Sequence, residues 1–232
     1  MVTALYSQIP MHHVRSTLNS YTATTRLNII NDWRYDNLQQ PYHQFETLYK
    51  HAKFAQIELN QLIKKAALRT DCHAILPTHK SRIRAQQKIM TELNGNANAL
   101  TDLARGSIIA SNIDDLISAY DYLIQYTDVR GVKNRFSRPT ASGYRDIKLL
   151  IRLPNSHFIV EIQLHLKKIA SIKNGAEHSI YEQIQKIERQ AVIESRLLHE
   201  LEQRKIQKLR QHSQHLYHRV WQHYMGNNRL AS

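Results

Sequence analysis

From Phe45 onward, Leu48, Ala52, Ala55, Leu59, Leu62 and Ala66 recur at alternating steps of three and four. That period is the stripe of an amphipathic helix laid on a core. Pro77 closes the region, and Thr78 or Ser81 can cap a second helix running to about Leu93, where Asn94-Gly95-Asn96 stops it. Residues 100–110 read as a buried strand. In 113–126, Leu116, Ile117, Tyr120 and Leu123 return at helical spacing behind Asp114 and Asp115, a pair suited to the positive end of a helix. Residues 128–143 are rich in Arg, Lys, Ser, Pro and Gly and predict mostly loop.

The sharpest pattern lies in 144–153. Ile147, Leu149, Ile151 and Leu153 alternate with Asp146, Lys148, Leu150 and Arg152, the period of a strand with one buried face. Pro154-Asn155-Ser156 makes a turn, and 157–164 alternates again, with Phe158, Val160, Ile162 and Leu164 opposed to Ile159, Glu161 and Gln163. An antiparallel hairpin follows. From 179 to 224 neither Gly nor Pro intervenes, and Ile180, Ile184, Ile187, Ala191, Leu198 and Leu201 predict one or two long helices. The expected architecture is α+β: a mixed, mostly antiparallel sheet flanked by helices, with long helices at the C-terminal end. Three segments are expected: a polar lead-in over 1–40, a central domain over 41–185, and a basic, His-rich helical extension over 186–232.

With 232 residues, 42% of them apolar, the chain can bury a substantial core. No stretch has the apolar length of a signal peptide or a membrane span, and a lone cysteine, Cys72, suits a reducing compartment, so the expected location is cytosolic, in its own cell or, for an effector, in a host or target cell. Cys72 itself reads as a packing residue. The formal net charge of +13 attracts anions, whether nucleotides, nucleic acid or acidic membranes, or serves solubility alone.

Chemistry concentrates in a few places. Lys80, Arg84 and Lys88 stand at i, i+4 and i+8, with Arg82 between them. On one helix they form a basic ridge, either a solvated face or a cradle for a triphosphate. Asp102 heads one apolar stretch and Glu161 sits inside another. Brought together they could hold Mg²⁺; apart, Glu161 reads as a buried ion pair and Asp102 as a turn or cap residue. Tyr144, Asp146 and Lys148 share the strand face opposite Ile147 and Leu149, so a ring, a carboxylate and an ammonium project together. His199, His212, His215, His218 and His223 mark the C-terminal helices as a solvated or partner-binding surface.

The ordered series Lys80-Ser81 through Arg84 and Lys88, Asp102-Leu103-Ala104-Arg105-Gly106, Gly143-Tyr144-Arg145-Asp146, Glu161-Ile162-Gln163 and Glu177-His178-Ser179-Ile180-Tyr181 resembles the RelA/SpoT synthetase domain of stand-alone small alarmone synthetases and related toxins. The resemblance covers about 45–185. It implies a Mg²⁺-dependent transfer of diphosphate from ATP to a ribose 3′-hydroxyl. Carried over, Lys80, Arg82, Arg84, Lys88 and Arg105 bind ATP. Asp102 and Glu161 hold the metal, and Glu161 helps to deprotonate the acceptor. Tyr144 takes the acceptor base, Lys133, Arg135, Arg138 and Lys148 its phosphates, and Gln163 and His178 wall the site. GDP or GTP is the first acceptor implied, an adenine nucleotide the second, and the tRNA 3′-end, as in toxin relatives, the third. A basic RNA-binding protein without catalysis is the reading from another class. The long C-terminal helices suit a homo-oligomer interface. Two departures fall on the acceptor side: many relatives read Tyr-Arg-Ser-Ile-His where this chain has Tyr144-Arg145-Asp146-Ile147-Lys148, and Lys-Asp where it has Lys133-Asn134.

Overall fold

The computed structural model describes residues 22–227; the first 21 residues of the expected lead-in lie outside them. In chain order the elements are α1 (Ala23–Ile29), β1 (Trp33–Arg34), α2 (Phe45–Arg69), β2 (His73–Ile75), α3 (Arg82–Glu92), β3 (Arg105–Ala110), α4 (Ile113–Tyr126), β4 (Asp128–Asn134), β5 (Ile147–Arg152), β6 (Ile159–Leu166), α5 (Lys167–Asn174), α6 (Ala176–Ile193) and α7 (Glu200–Asn227). The strands form one six-stranded sheet in the order β1-β4-β5-β6-β3-β2. Only β3 and β6 run parallel; every other pair is antiparallel. The chain is thus α+β with a mixed, mostly antiparallel sheet.

The two faces of this sheet have different tasks. Ile147, Leu149 and Ile151 of β5 lie opposite Leu164, Ile162 and Val160 of β6, and Gly106 and Ile108 of β3 continue the same rows. This face is apolar and fully covered. Helices α2 and α4 pack together and both meet β3. Gly106 permits the contact, because a Cβ there would lie 2.3 Å from Ile63 Cδ1. That close approach also shifts the α2 stripe: Ile63 is fully buried, whereas Leu62, expected inside, is only half-buried.

On the opposite face the register aligns Lys133, Lys148, Gln163 and Ser107 in one row and Leu150, Glu161 and Arg105 in the next. The face parity expected for Lys148 thus holds, and it sets this polar face against the one covered by α2 and α4.

Several segments depart from the sequence pattern. The expected strand 100–110 begins only at Arg105, because Leu100 and Leu103 give their carbonyls to the Gln40 side chain and the Lys80 amide. Residues 128–134, expected as loop, form β4. A bulge between Val129 and Gly131 masks its alternation, and Gly131 lets β1 approach. The polar stretch before residue 41 carries α1, capped by Thr22, and the edge strand β1. It is tied in by Leu27, fully buried, and by Gln40, whose amide bonds Leu100 O and Ile159 O and whose oxygen accepts from Ile159 N.

The C-terminal helices break at residues 194–199, where Ser195 takes φ +50° and Arg196 is clasped by Glu194 and Glu202. Tyr217, Trp221 and Tyr224 of α7 join the main core, and Ile206 joins Ile180 and Ile184 of α6 in a smaller cluster. Among the described residues no helix is long and apolar enough to cross a membrane.

Candidate active site

The first cluster, around Asp102, is assembled from a short run of chain. Lys80 does not lie on the helix expected for it: α3 starts at Arg82, and the Lys80 amide donates to Leu103 O at 2.8 Å. The basic ridge is therefore split, with Lys80 on an extended segment and Arg84 and Lys88 on α3. Two of the three still converge. Lys80 Nζ donates to Asp102 Oδ2 at 2.7 Å and Lys88 Nζ at 3.0 Å, while Lys88 also stands 3.9 Å from Glu92. Burial works to raise the Asp102 pKa, but the two ammoniums outweigh it and hold the carboxyl below its ordinary value.

Asp102 Oδ1 is buried and has no hydrogen-bond partner among the described residues. An anionic oxygen left in that state is costly unless a cation or donor meets it. Arg84 is exposed and forms no ion pair among the described residues. Arg82 is engaged elsewhere, bonding Glu46 and lying 5.4 Å from the Phe45 ring and 5.6 Å from that of Tyr49.

Glu161 lies beside this turn. Ala104, two residues after Asp102, accepts the Glu161 amide hydrogen at 3.2 Å, and Arg105 is the direct neighbour of Glu161 across β3 and β6. The Glu161 carboxylate is nearly buried and held at both oxygens, by Gln163 Nε2 at 2.7 Å on Oε1 and by Lys148 Nζ at 3.3 Å on Oε2. Lys133 stands directly opposite Lys148 on the same face and is exposed. Two like charges in direct cross-strand register are unfavourable unless an anion joins them.

The second cluster, around Tyr144, is denser. The Tyr144 hydroxyl donates to Asp146 Oδ2 at 2.9 Å and meets His165 Nδ1 at 3.2 Å. Because the phenol has one proton and gives it to Asp146, His165 carries its own proton on Nδ1 and donates in return. Burial, then the neighbouring Lys173 and Arg135, pushes the His165 pKa down to about 3, so the ring is neutral at physiological pH. Asp146 is fully buried and accepts from Arg135 at 2.7 Å. Around the Tyr144 ring stand Tyr217 at 5.7 Å edge-on, Lys173 Nζ at 5.3 Å and the Arg135 guanidinium at 6.0 Å.

Asp146 and Asn134, the two departures noted in the sequence, each have a physical account. Asp146 binds Arg135 and Tyr144 together. Asn134 donates through Nδ2 to Leu27 O at 2.7 Å and Ile30 O at 3.1 Å, tying α1 to β4, and an aspartate has no proton for either bond.

The structure thus gathers Lys80, Lys88, Asp102, Arg105, Lys148, Glu161 and Gln163, with Arg135 and Tyr144 adjoining. Arg138 is exposed, without an ion pair among the described residues. His178 is exposed on α6, 3.2 Å from Glu182. Lys173, His165 and Tyr217 were not anticipated. His165 continues the alternation of Glu161 and Gln163 by one step and was legible there, whereas Lys173 and Tyr217 lie on helices whose sequence carries no such mark. Cys72 is half-buried, with Sγ 3.3 Å from Thr70 O, and burial raises its pKa.

No protein-family model and no curated protein matches this sequence. Solved structures do match in fold. The type VI effector Tas1, crystallised with its immunity protein, aligns with a TM-score of 0.57 at 20% identity over 77% of this chain and 96% of its own. Small alarmone synthetase 2 from Bacillus subtilis aligns at 0.53 and 21% identity over 76% and 95%. Small alarmone synthetase 1 from the same organism, bound to its product pppGpp, aligns at 0.52 and 16% identity over 77% and 95%. The chain has the RelA/SpoT-like synthetase fold.

Proposed function

We propose that this chain is a pyrophosphokinase that moves the β,γ-diphosphate of ATP to the ribose 3′-hydroxyl of a guanosine nucleotide, GDP or GTP, and releases AMP. One observation carries the reading: a buried carboxylate gripped by two ammoniums, with one oxygen unmet, stands two residues before Ala104, whose carbonyl takes the amide hydrogen of a second buried carboxylate residue, Glu161. The shared fold supports it, and the bound product of one neighbour is a guanosine polyphosphate.

In this reading Lys80, Lys88, Arg84 and Arg105 neutralise the triphosphate, and Lys133 and Lys148 hold the acceptor's own phosphates. Glu161 takes the proton of the 3′-hydroxyl as the new bond from that oxygen to the β-phosphorus forms. The bond between the β-phosphorus and the bridging oxygen breaks, and the oxygen leaves on AMP. Positioning and charge neutralisation supply most of the acceleration in such transfers.

The donor set suits Mg²⁺. Both candidate ligands are carboxylates, the unmet Asp102 Oδ1 is a hard oxygen, and magnesium in nucleotide sites needs only one or two protein carboxylates beside phosphates and water. When bound by Asp102 and Glu161, the ion would supply further neutralisation of the phosphate oxygens.

Labelled ATP incubated with GDP, GTP, ADP or tRNA, with products resolved by thin-layer chromatography and mass spectrometry, tests the proposal. Label transferred to GDP or GTP with release of AMP is expected. Transfer to ADP or tRNA instead would reassign the acceptor, and consumption of none would leave a binding protein.

A further inference from the structure

Glu161 can act as a base only if its carboxylate is held with a lone pair towards the incoming hydroxyl, and its two restraints differ in kind. Lys148 is an ammonium and can only donate, so its contact with Oε2 is fixed in sense. Gln163 is an amide, and an amide can turn. With Nε2 towards Glu161 it donates at 2.7 Å; turned over, it would set a carbonyl oxygen against the carboxylate and expel it.

What decides the sense is on the other side of Gln163. Lys173 Nζ, reaching in from α5, lies 3.0 Å from Gln163 Oε1. A lysine ammonium has three donors and no acceptor, so it admits only the oxygen of the amide. Lys173 is itself fixed by its position over the Tyr144 ring at 5.3 Å and by the nearby carboxylates of Asp146 and Glu161, although burial lowers its pKa.

We infer that Lys173 is a positioning residue for diphosphate transfer: it orients the Gln163 amide, which in turn orients the Glu161 carboxylate, without touching the substrate's reacting atoms. The chain Lys173, Gln163, Glu161 and Lys148 then forms one continuous set of donors and acceptors around the base. This rests on the reading of Glu161 as the acceptor's base.

The test is a double-mutant cycle on the full chain, with Glu161 intact. Wild-type transfer of label from ATP is measured first, so that failure of the functional reading is seen separately as an inactive wild type. K173M is expected to lower kcat by about 10- to 100-fold, the range for losing a hydrogen bond to a charged group. The KM for ATP should stay within about twofold, since the contacts of Lys173 are with Gln163 and the Tyr144 ring. K173R, which still donates, should recover most of kcat.

The decisive measurement is K173M/Q163L. Once the amide is gone Lys173 has nothing to orient, so the double variant should be no slower than Q163L within about twofold. A loss equal to the product of the two single losses overturns the proposal. So does K173M turnover within twofold of an active wild type, or a K173R variant no better than K173M. If K173M does not fold, K173R takes its place in the cycle: its residual defect must vanish on the Q163L background, and persistence overturns the relay.

Discussion

On the proposed function, the donor and acceptor halves of the site are built in opposite ways. The donor half comes from a short span, Lys80 to Arg105; its lysines are paired with Asp102, yet Asp102 Oδ1 lacks a partner and Arg84 forms no ion pair among the described residues. The acceptor half draws on β4, β5, β6, α5 and α7 with the loop before β5, and its polar groups largely satisfy one another. Open charge makes a site that grips any polyphosphate and weakens with salt, whereas a closed network makes a site whose shape selects. Selectivity should therefore lie in the half that depends on distant parts of the chain.

The largest effect that would break or sharpen this contrast is at the base. Glu161→Gln keeps the shape and the Gln163 contact region but removes the proton acceptor, and kcat should fall by about 10²- to 10⁴-fold. ATP affinity, read by calorimetry without Mg²⁺, should change little; a fall of similar size in ATP binding would move Glu161 to the donor half.

Next is Tyr217→Ala, which empties a fully buried site against Tyr144 and should cost about 3–5 kcal/mol in denaturant unfolding. Tyr217→Phe removes only the bond to Glu177, 3.2 Å away, and should cost about 1 kcal/mol. If the contrast holds, the acceptor KM rises in the milder variant and the ATP KM does not.

Asp102→Asn leaves Lys80 and Lys88 without their anion and should destabilise by about 1.5–3 kcal/mol near neutral pH. The folded pKa of Asp102 lies below its ordinary 3.8. Its contribution is thus complete above that value and is lost as pH falls through the lower folded one. Wild-type and D102N stability curves should run parallel above about pH 5 and converge in acid; curves that stay apart at the lowest pH would remove the ion pair as the cause.

Smaller again, Gly143→Ala forces an L residue to φ +81° and sets its Cβ 3.1 Å from Gln214 Cα, with an expected cost of about 1–2 kcal/mol. Smallest, Arg84→Ala should raise the ATP KM by about 3- to 10-fold at low salt, less at high salt, and leave the melting temperature unchanged.

The same division governs what could be read from the residues alone. Face parity in β5 and β6 was legible because period two is a local property, and it set Lys148, Glu161 and Gln163 on one side correctly. The helix drawn through Lys80 was not, since a backbone bond to Leu103, far along the chain, takes that segment out of the helix. β4 was hidden for a related reason: its pairing with two neighbours overrides a composition that reads as loop, and a bulge breaks its rhythm. Asn134 looked like a departure in the acceptor pocket because its carbonyl partners on α1 could not be foreseen. Lys173 and Tyr217 reach the site by tertiary packing, which leaves no periodic trace.

The parallel pairing of β3 with β6 closes a loop of chain that contains α4, β4 and β5. Neighbouring hairpins close small loops and assemble early, while this pair closes a long one and bears its entropic cost late. During refolding the β4-β5-β6 ladder should gain amide protection ahead of β3, and enzymatic competence should return only with that last seam.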